Sequence, residues 1–307
     1  MSKRAIRDVA ASNRARLLNL ARRQDEEFQY LLERWCVERF LHRLSVSEYR
    51  ERFVLKGAML FLSWTGALYR PTQDLDLLGW GEPDVSEVVG VIGEICRIES
   101  DDGIAFDLAK LAGERIREDA LYEGVRVRVP ASLDGARIRL QIDVGFGDAV
   151  EAQRIEFPTL LDGDTPVLQG YPPEASIAEK PHAMVTLGLG NSRMKDFLDI
   201  WTLAATREFR LTVLSAAIRA TFERRRTGLP QEPPLALTPG FLEDAAKQTQ
   251  WQAFRQKLRS TTNTTPASLA EVGALLADFL MPAMTATMTT PEALWTPRGP
   301  WRPLPDA

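Results

Sequence analysis

The sequence predicts an α+β protein in three parts: a helical N-terminal segment, a small core mixing strands with helices, and a helical C-terminal region. Three observations carry this. Apolar residues recur at helical spacing over positions 12–48. Between Phe53 and Val144 short runs alternate polar and apolar residues, as half-buried strands do. Beyond a stretch dense in proline and glycine, helical spacing returns and persists to about residue 281. The parts divide as 1–50, 51–157 and 158–284, with a Pro/Thr-rich tail over 285–307.

Leu17, Leu18, Leu20 and Ala21 begin the first apolar stripe, and Phe28, Leu31, Leu32, Trp35, Val37 and Phe40 continue it. Phe53-Val54-Leu55 is a short apolar entry broken by Lys56-Gly57; Ala58 to Trp64 is helix-compatible and Gly66 stops it. Asp74-Leu75-Asp76-Leu77-Leu78 alternates as a strand. A helix over 85–98 follows, then strands over Ile104–Leu108, Gly124–Val129 and Ile138–Val144. In the last, Ile138, Leu140, Ile142 and Val144 share one side and Arg139, Gln141 and Asp143 the other. Residues 158–174 read as a linker. Helices are expected over 176–188, 192–206, 210–224, 239–259 and 266–281, the first opened by a Ser176/Glu179 capping box. From Thr285 the chain is expected to fray or drape over the surface.

Bulk properties narrow the function. At 307 residues the chain can bury a substantial core, and 45% hydrophobic with 26% charged residues is ordinary for a globular protein. No apolar run approaches the roughly 18–20 residues of a spanning helix, and the early charges Lys3, Arg4 and Arg7 precede no apolar leader segment. Cys36 and Cys96 are the only cysteines, which fits a reducing cytoplasm. Two thiols and two histidines exclude a Cys/His zinc cage, so a metal must rest on carboxylates, as magnesium or manganese does. The net charge of -4 argues against general polyanion binding. Basic residues do cluster at the N-terminus (adding Arg14, Arg16, Arg22 and Arg23) and at Arg224-Arg225-Arg226. They suit either a phosphate backbone or a solvated helix face.

The chemistry concentrates between Lys56 and Asp143. An Asp-x-Asp on a strand sets Asp74 and Asp76 on one face, about 6–7 Å apart. Like charges so placed repel unless a cation lies between them. Asp143 on a later strand supplies a third carboxylate, completing an oxygen-rich cage for one or two magnesium ions. Gly57, between a strand and a helix, lets backbone amides approach a triphosphate, with Lys56 beside it. Spacing alone leaves open that these are solvated acids at strand edges.

Four segments resemble the AbiEii/AbiGii abortive-infection toxin family. They are Phe53-Val54-Leu55-Lys56-Gly57-Ala58-Met59-Leu60, Arg70-Pro71-Thr72-Gln73-Asp74-Leu75-Asp76-Leu77-Leu78, Gln141-Ile142-Asp143-Val144-Gly145-Phe146-Gly147-Asp148, and Ile177-Ala178-Glu179-Lys180 with Asn191 through Trp201. They stand in the family's order, and the resemblance covers roughly residues 12–215. The resemblance implies a polymerase-β-like nucleotidyltransferase core with Asp74 and Asp76 as metal ligands, a magnesium or manganese cofactor and a nucleoside triphosphate substrate. It also implies an antitoxin partner and, in some relatives, the 3′ end of transfer RNA as acceptor. Lys180 and Asp196 match the family's site positions. Gly57-Ala58 departs from the usual Gly-Gly or Gly-Ser, removing one hydroxyl donor but leaving the backbone amides.

On a helix, Met194, Phe197, Leu198, Trp201 and Ala205 form an apolar stripe, with Asp196 and Asp199 opposite and Arg193 beside Asp196. That polar side is either an exposed ion pair or a cleft in which Lys180 neutralises phosphate and Asp196 orients Lys180 or the acceptor. Pro181 falls near the fifth residue of its helix, where it removes an early backbone bond. Arg70, Thr72 and Arg193 are nucleotide-binding candidates; His182, Phe197 and Trp201 read as packing residues. The leading expectation is metal-assisted transfer of a nucleoside monophosphate to an acceptor such as RNA. The alternatives are an aminoglycoside-type small-molecule enzyme and a non-catalytic nucleotide-binding module that sequesters a partner.

Overall fold

The computed structural model describes residues 8–72, 74–119, 122–147, 150–258 and 265–304. Lys3, Arg4, Arg7, Gln73 and Asp148 lie outside them. The fold is α+β, with a mixed sheet and helices, in two compact units: Met1–Ala67 with Thr72–Tyr171, and Leu68–Pro71 with Pro172–Ala307.

The first unit opens with helices α1 (Val9–Gln24) and α2 (Phe28–Val46). The Asp8 carboxylate caps α1 by accepting from the Ala11 amide, satisfying a donor the helix start leaves open. Strand β1 (Phe53–Lys56), short helix α3 (Leu60–Thr65), β2 (Asp74–Gly79) and α4 (Val85–Arg97) follow. Then come β3 (Ile104–Phe106), β4 (Ala112–Asp119), β5 (Tyr122–Leu133), β6 (Ala136–Phe146), β7 (Gln153–Glu156) and β8 (Val167–Gly170). The sheet order is β3-β5-β6-β2-β1-β8-β7, with β4 also on β5; β2 runs parallel to β6 and β1 parallel to β8. A hairpin joins β5 to β6 through Asp134-Gly135, both at positive φ as a tight two-residue turn requires.

Register places the core. Val127 pairs with Ile142 and Ile142 with Leu75, and all three are fully buried. Helix α2 packs on β6 and α4 on β4 and β5. Each such aliphatic side chain stabilises the fold by roughly 1.5–3 kcal/mol through burial. A slip of one residue between β2 and β6 would turn Asp74, Asp76 and Asp143 into this core. The same apolar alternation that drives folding therefore fixes the acids on the opposite face.

The second unit is mainly helical: α5 (Pro173–Leu187), α6 (Met194–Thr206), α7 (Leu211–Arg224), α8 (Pro239–Leu242), α9 (Ala245–Arg255) and α10 (Leu269–Thr285). A small sheet joins β9 (Phe209–Arg210) to β10 (Ala293–Trp295) and β11 (Trp301–Pro303).

Several expectations need correction. The stretch 158–174 is not only a linker, because β8 adds a strand to the sheet and the divide between units falls after Tyr171. Helices α1 and α2 belong to the same unit as the sheet rather than standing apart. Ser176 lies inside α5 rather than capping it; the helix begins at Pro173, whose missing N–H suits the first turn. Among the described residues the tail after Thr285 is anchored as far as Trp301. Trp295 is fully buried, donates Nε1–H to the Ala204 carbonyl at 2.7 Å, and lies 4.9 Å from the Phe279 ring centroid. Trp301 stacks on Phe279, so two aromatic anchors outweigh the Thr/Pro composition of the segment. Among the described residues no helix is long and apolar enough to cross a membrane.

Candidate active site

One row of side chains crosses the polar face of the first unit's sheet. Lys56 pairs with Asp76 across β1 and β2, Asp76 with Asp143 across β2 and β6, and Asp143 with Arg126 across β6 and β5. Residues in register on neighbouring strands point the same way, so these four share a face. Asp74, two residues earlier on β2, lies opposite Gln141, whose Nε2 donates to Asp74 Oδ1 at 2.5 Å. Thr72 donates its hydroxyl to the Asp74 carbonyl at 3.3 Å, tying the approach to β2.

Gly57 serves the acids directly. Its φ is +75°, and a Cβ built there would fall 2.0 Å from Asp76 Oδ2. Backbone freedom and close approach thus coincide: the space a side chain would fill is taken by the Asp76 carboxylate. Ala58 is buried beside it, and buried Lys56 brings its ammonium 5.9 Å from the centroid of the Tyr171 ring.

The expected cage of three carboxylates is only partly formed. Asp143 is in register with Asp76, but Arg126 donates Nε to Asp143 Oδ1 at 2.8 Å and Nη2 to Oδ2 at 2.6 Å. A bidentate pair of this kind occupies both oxygens. Among the described residues no three acidic, thiol or imidazole groups converge as a metal cage. Asp74 and Asp76 are hard oxygen donors two residues apart on one strand face, the donor type that magnesium or manganese takes, whereas both Asp143 oxygens are engaged by Arg126. Hydrogen bonding to Asp143 holds Arg126 charged well above the usual guanidinium range despite partial burial, and the charges of Asp143, Asp74 and Glu114 add to this.

The remaining candidates fall within the second unit. Lys180 donates Nζ to the Ser176 carbonyl at 2.8 Å and lies 3.9 Å from Asp199 Oδ2. Asp199, not Asp196, is therefore the acid beside Lys180. Arg70 grips Asp199 with two hydrogen bonds, Nε to Oδ1 at 2.8 Å and Nη2 to Oδ2 at 3.0 Å. Burial pushes the Asp199 pKa up, but the charges of Arg70 and Lys180 outweigh it and hold the carboxyl below its ordinary value. Asp196 is also buried, with Arg193 Nε 2.6 Å from its Oδ2 as an ion pair. The side of α6 opposite the apolar stripe is packed rather than solvated, since Asp196, Asp199 and Thr202 are all buried. Pro181 sits mid-helix in α5 and removes the helical donor for the Ile177 carbonyl. His182 packs as expected, bonded at Nε2 to Thr227 and at Nδ1 to Arg225. Part of the N-terminal basic stretch serves ion pairs, Arg14 with Asp134 and Arg16 with Asp162.

The sequence matches the family model for the nucleotidyl transferase AbiEii toxin of type IV toxin–antitoxin systems over residues 39–278, most of the chain. The chain belongs to the AbiEii family. No curated protein matches it significantly. Among solved structures it is similar to JHP933 from Helicobacter pylori, at 16% identity and a TM-score of 0.41 over 75% of this chain and 94% of that one. A candidate nucleotidyltransferase from H. pylori is similar at 15% identity and a TM-score of 0.44, over 84% and 93% of the two chains. A type IV toxin–antitoxin family implies a cognate antitoxin.

Residue-by-residue reading of this AbiEii chain missed Arg126 and Gln141 as partners of the acids. The signal was present. Arg126 and Arg128 alternate with Val125, Val127 and Val129 on β5, the period-2 pattern that marks a polar sheet face.

Proposed function

We propose that this AbiEii protein is a metal-dependent nucleotidyltransferase with a polymerase-β-like core, moving a nucleoside monophosphate from a nucleoside triphosphate to an acceptor hydroxyl on RNA, with the 3′ end of transfer RNA as the leading case. The row Lys56–Asp76–Asp143–Arg126, with Asp74 beside it, is the observation that carries this reading. Asp74 and Asp76 would hold magnesium or manganese, with Asp143 as the third ligand. The bound ion would polarise the α-phosphate and offset charge developing on the leaving pyrophosphate.

The protein's own groups have distinct tasks. Gln141 orients the Asp74 carboxylate, and the bare Cα of Gly57 lets Asp76 sit against the turn. Gly57-Ala58 and Lys56 border the position assigned to the triphosphate. Arg126 neutralises Asp143 in the resting protein and turns to phosphate when substrate arrives, exchanging one anion for another at little electrostatic cost. In the second unit Lys180 and Arg193 are separate cationic candidates, Arg193 beside Asp196, while Arg70 is committed to Asp199.

Incubation with magnesium, each labelled nucleoside triphosphate and total RNA tests the proposal. Label should pass to RNA with wild type and fall at least 100-fold with Asp76→Asn. Transfer that survives this substitution, or no transfer to RNA with any nucleotide, contradicts it.

A further inference from the structure

The polar face of the sheet continues beyond the acids. Along β6 it carries Asp143, Gln141, Arg139 and Arg137 in turn, and in register on β5 stand Arg126, Arg128, Pro130 and Ser132. A groove of about 810 Å³ follows this track. Asp74 and Gln141 line one end, and Arg128, Arg139, Arg137 and Lys110 line the remainder.

The charges are not equally available. Lys110 is paired with Asp107 at 2.6 Å and Arg128 with Glu114 at 2.6 Å, and Glu33 at the groove wall accepts from Gln29. Arg137 and Arg139 are exposed and have no acidic partner among the described residues. A strand face open to water needs polar residues, but it does not need two unpaired arginines two positions apart beside a carboxylate site. Guanidinium groups so spaced suit successive phosphates of a flexible chain.

We propose that this groove is the track for the phosphodiester backbone of a single-stranded polynucleotide, held by Arg137 and Arg139, with its reacting end at Asp74. The polarity of the chain rests on the nucleotidyltransferase reading; the binding does not. From Asp143 to Arg137 the strand runs about 20 Å, at roughly 3.3 Å per residue. The volume falls in the range of about 300–1,000 Å³ typical of ligand clefts, room for a few nucleotides and not for a duplex. A cationic acceptor such as an aminoglycoside would meet like charge at the unpaired Arg137 and Arg139. Arg137 and Arg139 stand over a floor that includes Val129, Ile138 and Leu140, and a backbone track is sequence-independent, drawing on the charge alone.

Fluorescence anisotropy of the full-length protein with a labelled octaribonucleotide, the matching octadeoxynucleotide and an eight-base-pair duplex tests this. Single strands should bind tighter than duplex, and the RNA and DNA arms identify which polynucleotide the track prefers. Arg137→Glu with Arg139→Glu should weaken single-strand binding at least tenfold. Arg137→Gln with Arg139→Gln should lower the slope of log K against log salt by about 1.4, the release expected for two phosphate contacts. Arg137→Lys with Arg139→Lys should restore most of the affinity. Melting curves report folding separately, and because both side chains are solvent-facing the glutamine pair should melt as wild type does. Unchanged affinity in the glutamate and glutamine pairs, or duplex bound as tightly as single strand, overturns the proposal. If RNA labelling persists but binding ignores these arginines, the track is wrong and the enzyme reading stands. If binding depends on them but wild type labels no RNA, the track stands and the enzyme reading falls.

Discussion

The two units of this protein each hold a pair of aspartates next to cations, and they hold them differently. On the sheet, Asp74 and Asp76 are half-buried on a face whose register is set by Leu75 and Leu77 packing on the other side. On α6, Asp196 and Asp199 are buried among helices, each against an arginine. The sheet acids are positioned by a pattern that does not depend on their charge, so charge is left for function. The helix acids sit in ion pairs, and removing Asp199 leaves the largely buried Arg70 and Lys180 without a counter-ion. Similar Asp-x(n)-Asp motifs therefore carry different stakes for stability and for chemistry.

The largest stability effect expected from this contrast is at Asp199. Asp199→Ala leaves Arg70 and Lys180 without their carboxylate and should lower unfolding free energy by about 3–5 kcal/mol in urea titration. A loss under 1 kcal/mol would show that the α6 acids are as dispensable to folding as those on the sheet.

Glu38 sharpens the same point by pH. It is fully buried, and burial raises its pKa to about 7 although Arg34 and the Leu160 amide oppose the shift. Between the unfolded value near 4.5 and about 7, the unfolded chain releases this proton while the folded protein keeps it. Stability should therefore be fully present below pH 4.5 and decline by roughly 3 kcal/mol as pH rises through 7. Glu38→Gln should flatten that segment of the stability curve, read from thermal or urea melts across the range. An unchanged slope would remove Glu38 as its source.

Gly57→Ala is next in size. The new methyl collides with the Asp76 carboxylate and sits at a φ that L residues rarely adopt, so a loss of about 1–3 kcal/mol is expected, along with most transfer activity. Arg126→Ala should act in the opposite sense on cation binding. Freed of its bidentate partner, Asp143 becomes available to a divalent ion, and manganese affinity measured by calorimetry should rise several-fold. No rise would mean that Asp143 serves only to place Arg126.

Much of the sheet was legible because its physics is periodic. Asp74-Leu75-Asp76 and Ile138 through Val144 alternate cleanly, and both strands formed with the acids on one face. Strand β4 was missed because Ala112-Gly113-Glu114-Arg115 has almost no apolar alternation; it is held by pairing with β5. Strand β8 is short and surrounded by proline and glycine, which hid it in an apparent linker. The burial of Asp196 and Asp199 was not legible from helical spacing, since that pattern assumes one solvated face and α6 has little of one. Arg126 was overlooked because its partner is distant in the chain, although the Asp134-Gly135 turn fixes the register that joins them.

We propose Asp74 and Asp76 as the cation-holding pair of this AbiEii protein. Titrating manganese into wild type, Asp76→Asn and Asp143→Asn, followed by electron paramagnetic resonance of free manganese, tests it most directly. Wild type should bind the ion, Asp76→Asn should lose at least tenfold in affinity, and Asp143→Asn should lose less. Equal manganese binding by wild type and Asp76→Asn would contradict it.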